Sequence, residues 1–188
     1  MSSIRVYHAF RSPYSRLGLH IIDRAGLDVE LIAFTGPPDG VTFNDPTENK
    51  PKLAYYGIDA PRMTMRMGLP ITRPSPFDVD FGPANKGAVA AMRDGKGLAF
   101  TLSVADARWG EGKNVSEMSV LEACAGQCGW SAEALRSAQE DADITATLQK
   151  QRAQITEDGV FGVPFAVRGA SKYWGHDRFD LLVEDAKG

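Results

Sequence analysis

The stretch Ile4-Arg5-Val6-Tyr7-His8-Ala9-Phe10 runs directly into Arg11-Ser12-Pro13-Tyr14-Ser15, and this junction restricts the fold more than any other segment. The first part is apolar enough for a strand near 3–9 that enters a core. Beyond it, Tyr14, Leu17, Ile21 and Ala25 recur at helical spacing and Gly26 follows as a stop, which predicts a helix near 13–25. Ser12 stands where an N-cap belongs, and Pro13 takes the first helical position, where its fixed φ suits a helix. A second apolar run, Asp28-Val29-Glu30-Leu31-Ile32-Ala33-Phe34, predicts a strand near 28–34. Two strands joined by such a helix make a crossover and a parallel pair.

The strand-to-helix junction aims unpaired backbone N–H groups and the positive end of a helix dipole at one spot. Such a spot can hold an anion, a thiolate included. Taken alone, Ser12 reads as an ordinary helix cap. The far end of the chain shifts that balance.

At 188 residues and 43% hydrophobic content, the chain suits one domain, or one domain carrying a large insertion. A net charge of −3 speaks against a nucleic-acid partner, which needs a basic patch. No apolar run approaches the roughly 18 residues of a transmembrane helix, so no membrane partner is expected. Met1-Ser2-Ser3-Ile4-Arg5 lacks the apolar region of a signal peptide. Cys124 and Cys128 share one face of a predicted helix, where disulfide geometry is poor, and read as small core residues. His8, His20 and His176 are scattered, and no metal site is expected. The expected compartment is a reducing cytoplasm.

Thr35-Gly36-Pro37-Pro38-Asp39-Gly40 breaks the pattern, and most of the 11 prolines fall between 35 and 83. That region predicts a loop with short helices, one near 50–67 that Gly68-Leu69-Pro70 ends. From 84 to 157 helical spacing dominates. Val89 and Met92 mark a first helix, and Leu98, Leu102, Ala105 and Trp109 a second. Val120, Leu121, Cys124 and Cys128 form a third, entered at Ser116; Ser131 caps a short fourth; Ile144, Leu148, Arg152 and Ile155 mark a fifth. These stripes, with Trp109 and Trp130, are expected in the core.

Val160 to Val167 reads as a strand with a proline at its start, Gly169-Ala170 as a turn, and Ser171-Lys172-Tyr173-Trp174 as a short strand. Gly175-His176-Asp177 opens a last helix through Phe179, Leu181, Leu182 and Val183. The order is βαβ, a helical block, then ββα: an α/β, thioredoxin-like fold with a large all-helical insertion. The expected division is a thioredoxin-like domain from 1–45 and 158–188, with a helical insertion domain over 46–157.

With this order, Ser12-Pro13-Tyr14-Ser15 at the first helix and Gly159-Val160-Phe161-Gly162-Val163-Pro164 before the third strand resemble the kappa-class glutathione transferases. Trp174-Gly175-His176-Asp177-Arg178-Phe179 adds to the likeness. Within that family the chain is most similar to the bacterial 2-hydroxychromene-2-carboxylate isomerases. Lys52-Leu53-Ala54-Tyr55-Tyr56 with Asp59 and Arg62, Gly68-Leu69-Pro70, and Ala107-Arg108-Trp109 fit in the same order. One departure is Phe165, where the family usually carries a threonine after Val-Pro.

Serine at both Cys-x-x-Cys positions, Ser12 and Ser15, excludes dithiol redox chemistry. The resemblance implies that glutathione supplies the sulfur, as cofactor, and that Ser12 is the catalytic residue, donating a hydrogen bond to it. It implies a cis Val163-Pro164 bond, with the Val163 backbone pairing with the cysteinyl part of glutathione. Asp177 meets the γ-glutamyl end, caps the last helix, or does both; His176 offers its backbone N–H there, and Arg178 supports Asp177. Lys52 matches a lysine for the glycine carboxylate of glutathione or for the substrate carboxylate, or it is a solvated surface lysine. Asn44 is the candidate for a glutathione-binding asparagine in the 35–50 loop. Phe10, Arg11 and Trp174 are candidates for the aromatic end of a substrate pocket and Arg62 for a substrate-carboxylate partner. Asn85 binds substrate or caps a helix.

The implied activity is a glutathione-dependent isomerase of aromatic compound degradation, acting on small aromatic carboxylates of the 2-hydroxychromene-2-carboxylate type. A kappa-like glutathione transferase is the first alternative, and a non-catalytic thioredoxin-like binding module the second. Family members are often homodimers, and a homodimer is possible here.

Overall fold

The apolar run at the start of the chain becomes the second strand of a four-stranded sheet. The computed structural model describes residues 3–38, 40–41 and 48–188. Strand β1 (Ile4–His8) pairs parallel with β2 (Glu30–Ala33) on one side. On the other side it pairs antiparallel with β3 (Phe165–Arg168), which continues antiparallel to β4 (Ser171–Trp174) in the order β2-β1-β3-β4. Alternation along β1 sends Ile4 and Val6 into the larger core and Tyr7 into a smaller one with Ile32, Ile155, Val160, Phe165 and Val167.

Helix α1 (Pro13–Ala25) has the ends that its sequence predicts. Ser12 Oγ accepts from the N–H of Ser15 at 3.1 Å. Gly26, at φ 64°, closes the helix in the left-handed region that glycine tolerates. At Gly18 a Cβ would lie 2.8 Å from Phe179 Cε2 and 3.2 Å from Pro164 Cβ, so α1 meets both with no room for a side chain. Phe179 opens the last helix, α8 (Phe179–Lys187), after a 3₁₀ turn at His176–Arg178.

Between β2 and β3 the chain forms α2 (Lys50–Arg66), α3 (Gly82–Arg93), α4 (Gly97–Trp109), α5 (Met118–Gln127), α6 (Ala132–Ser137) and α7 (Ala142–Glu157). Helix α4 packs against α1, α3 and α5. That explains why the Leu98/Leu102 stripe is only half-buried, while Phe100, Thr101, Val104 and Arg108 are fully enclosed: the helix is covered on several sides, so its sequence carries little phase. Helix α5 starts at Met118 rather than Ser116. Asn114 Oδ1 accepts from both the N–H and the hydroxyl of Ser116, at 3.1 and 2.7 Å, and holds Ser116 in a turn before the helix. Ser131 caps α6 as expected. Trp109 and Trp130 are buried, each with its indole N–H bonded, to the Phe10 carbonyl at 2.9 Å and to Asp94 at 2.7 Å.

Strand β3 is shorter than the apolar run that announces it, because residues 160–163 lie outside the ladder and Pro164, with no N–H, stands at its edge. The Val163-Pro164 bond is cis, as expected from the resemblance. Ser75-Pro76 is also cis, which the sequence does not signal. Asp158, just after α7, accepts from Arg5 Nε and Nη2 at 2.8 and 2.9 Å and from the Tyr7 hydroxyl, while Lys172 donates to its carbonyl at 2.6 Å. This network fastens the end of the helical block to β1 and β4.

The Ser12 turn and its rim

Ser12 is half-buried at the N-terminus of α1, in an extended conformation that lets its side chain fold over the first turn. Its oxygen accepts from Ser15 N–H, which leaves the hydroxyl proton available to an outside acceptor. Ser15, at the second cysteine-equivalent position, is 2% exposed and accepts from the N–H of Ala9 at 3.2 Å. Of the two serines, then, one looks outward and one inward. No cysteine lies at either position: Cys124 is on α5 and Cys128 follows its last residue, Gln127.

Pro164 packs on α1 at Gly18, and its carbonyl accepts from Gly175 N–H at 2.9 Å. Gly175 has φ 95°, a conformation that turns the chain from β4 into the His176–Arg178 segment. Val163-Pro164 and Gly175-His176-Asp177 therefore lie side by side at the end of the sheet where Ser12 sits. Among the described residues, neither the N–H nor the C=O of Val163 makes a backbone hydrogen bond.

The His176 ring is 8% exposed and stacked on Tyr14, with centroids 5.2 Å apart and planes 19° from parallel. Its buried Nε2 has no hydrogen-bond partner among the described residues, and burial lowers its pKa. The Tyr14 hydroxyl donates to Asp59 at 2.8 Å; burial, then that bond, raises its pKa and keeps it protonated. Asp59 also accepts from Arg62 at 3.2 Å. Tyr14 meets Tyr56 edge to face, and Lys52 Nζ sits 5.8 Å over the Tyr56 ring. Through these contacts α2 brings Lys52 and Arg62 to the rim of the Ser12 turn.

Other expected site residues fall differently. Asp177 is exposed and paired with Arg178 at 2.9 Å, and its side chain caps no helix. Trp174 is 56% exposed and meets Phe161 at 4.7 Å, so the loop before Pro164 and the end of β4 share an aromatic surface that includes a residue not anticipated, Phe161. Phe10 points its side chain into the core at 2% exposure. Asn85 lies within α3, whose N-cap is Phe81, and does not cap it. Asn44 lies outside the described residues.

A cationic patch adjoins the same turn. Arg11 Nε is 3.7 Å from Asp78 Oδ1. Arg108, fully buried at the end of α4, donates from Nη2 to the carbonyl of Phe77. Its guanidinium stands 4.8 Å from the Phe81 ring and 5.4 Å from the Trp109 ring. The signal in the sequence was an arginine between Ala107 and Trp109 on a mostly apolar helix.

Among the described residues no group of three or more His, Cys, Asp or Glu could hold a metal ion, and no helix is long and apolar enough to cross a membrane.

The model of the DSBA-like thioredoxin domain family matches residues 3–187. Among solved structures, a 2-hydroxychromene-2-carboxylate isomerase is 24% identical, covering 98% of this chain and 94% of its own, with a TM-score of 0.78. The cytosolic disulfide reductase DsbM from Pseudomonas aeruginosa is 18% identical over 98% of each chain, at 0.70. The same protein solved with GSH is 17% identical, covering 99% of this chain and 100% of its own, at 0.67. Among curated proteins no significant match is found.

Proposed function

The chain belongs to the DSBA-like thioredoxin domain family, and from that premise we propose that it is a glutathione-dependent isomerase of 2-hydroxychromene-2-carboxylate-type aromatic acids. The carrying observation is the Ser12 hydroxyl, held at the α1 N-terminus with its proton unspent, at the position where redox members of the fold need a sulfur. The solved isomerase and the GSH complex of DsbM support the reading as relatives of the same fold.

The residues present suit a peptide-like thiol. Val163 offers an N–H and a C=O without backbone partners, and His176 Nε2 is an orphaned buried polar atom beside Tyr14. Asp177, exposed, suits the γ-glutamyl ammonium, and Lys52, near Tyr56, suits the glycine carboxylate. When bound, glutathione would supply a thiolate that adds to a conjugated double bond, lets it rotate as a single bond and leaves unchanged.

The chain's own part is electrostatic and positional. Ser12 donates a hydrogen bond that favours the ionised sulfur, and the helix N-terminus adds its partial positive charge. Pro164, wedged on Gly18, fixes the Val163 edge relative to Ser12. Trp174 and Phe161 offer an aromatic ligand an exposed apolar surface.

The test is a pH titration of protein-bound glutathione by ultraviolet thiolate absorbance, for wild type, Ser12→Ala and Ser12→Thr. A thiol pKa below the free value of roughly 8.5 is expected in wild type and Ser12→Thr, returning upward in Ser12→Ala. Binding without a shift would reduce Ser12 to a cap. No binding at all would remove the isomerase reading.

A further inference from the structure

Arg108 is built at odds with its surroundings. It is 0% exposed, yet among the described residues Nε and Nη1 have no hydrogen-bond partner. Buried donors are almost always paired, and an idle charged one is more costly than a neutral one. A guanidinium kept only to hold the Phe77 carbonyl would need one of its five N–H groups. Counter-charge is short as well. Burial, offset in part by Asp78 and deepened by Arg11, brings its pKa down to about 10. Asp78 also serves Arg11, and its side chain is 72% exposed. The carboxylate that offsets Arg108 thus faces solvent and adjoins a second guanidinium.

We propose that Arg108 is an anion site beside Ser12, taking the carboxylate of an aromatic acid on its guanidinium as the Phe77–Asp78 segment lifts off. The assignment deepens the isomerase reading and rests on it for the acid. A carboxylate matches the planar fork of an arginine, and the Phe81 and Trp109 rings wall the fork with flat apolar surfaces that suit an aromatic ring. The patch is tied to the Ser12 turn, because Trp109 Nε1 donates to the carbonyl of Phe10 at 2.9 Å and Arg11 directly precedes Ser12.

Entry has a defined obstacle. A two-point grip uses an Nη2 N–H together with Nε or Nη1, and the Phe77 carbonyl already stands against Nη2. The segment before it is anchored independently: Thr72 N–H donates to the Trp109 carbonyl at 2.8 Å, its hydroxyl to Gly110 at 2.9 Å, and Ser75 N–H to Gly112 at 3.3 Å. Lifting Phe77 and Asp78 therefore leaves the stretch up to Ser75 in place. Asp78 is the internal rival of the incoming acid, since it holds the same cationic patch.

The full chain, wild type and the variants Arg108→Lys and Asp78→Asn, is titrated with trans-benzylidenepyruvate and with its methyl ester, followed by tryptophan fluorescence, with glutathione titrated separately. Wild type is expected to bind the acid about tenfold or more tighter than the ester, the value of one charge-assisted pairing. Arg108→Lys loses that preference, and Asp78→Asn tightens the acid severalfold without changing the ester. No acid preference in wild type, or a preference that survives in folded Arg108→Lys, overturns the proposal. Equal displacement of the acid by inorganic phosphate overturns the carboxylate assignment. If Arg108→Lys fails to fold, Asp78→Asn decides, since an unchanged or weakened acid then counts against the site. Failure of glutathione to bind wild type sinks the isomerase reading alone, because the acid and ester are compared without it.

Discussion

The ring of His176 lies nearly flat on the ring of Tyr14, 5.2 Å away, and this pair joins the last helical turn before α8 to the first turn of α1. Tyr14 passes the connection on through its hydroxyl to Asp59 on α2. Along α2 only Ala60 and Thr64 are buried, so among the described residues this bond is one of the helix's polar ties to α1.

Tyr14→Phe keeps the stack and deletes the bond to Asp59. Its expected effect is a loss of about 1 kcal/mol in stability, the net worth of one such bond. Amide hydrogen exchange should rise in α2 while α1 and the sheet stay protected. Equal exchange in α2 of both proteins would mean that the helix is held by other contacts.

Gly18→Ala tests the seat of Pro164. The new Cβ would meet Phe179 at 2.8 Å and Pro164 at 3.2 Å. Overpacking of this kind costs about 1–3 kcal/mol. A lowered melting temperature with weakened glutathione binding is the expected pair of results; an unchanged melt would show that Phe179 can yield.

His8 predicts how stability changes with acid. Burial pushes its pKa down from 6.5 to about 4, and among the described residues Nδ1 has no hydrogen-bond partner. Between those values the unfolded chain binds a proton that the folded chain refuses, so stability falls as pH drops from 6.5 toward 4 and is fully restored above 6.5. The shift corresponds to about 3 kcal/mol. His176, also lowered by burial, acts in the same direction. Urea unfolding at several pH values should give a shallower pH slope for His8→Leu than for wild type. Identical slopes would assign the acid sensitivity to other groups.

Features set by neighbouring residues could be read from the chain alone. Ser12, Pro13 and Gly26 delimit α1 because capping depends on a few adjacent dihedral angles and hydrogen bonds. The cis bond at Pro164 and the pairing of Asp177 with Arg178 came through family resemblance, and both are present. What depended on distant partners was not readable. Ser116 looked like a cap until Asn114 claimed it. Phe10 looked like a pocket residue, although its side chain belongs to the core and only its carbonyl reaches Trp109. Arg108 lay hidden in an apolar helix, because periodicity records which positions are buried and not which buried group lacks a partner.

The antiparallel pairing of β1 with β3, Ile4 opposite Arg168, also orders events in time. Ser12 leaves the ribosome before Pro164 and Asp177, which follow only after the whole helical block has been translated. Until then β1 can pair with β2 on one side and has nothing on the other, an open edge of the kind that recruits foreign strands. The nascent chain therefore carries half of the Ser12 rim and an exposed strand together, and arrival of the β3–β4 hairpin completes the first while closing the second.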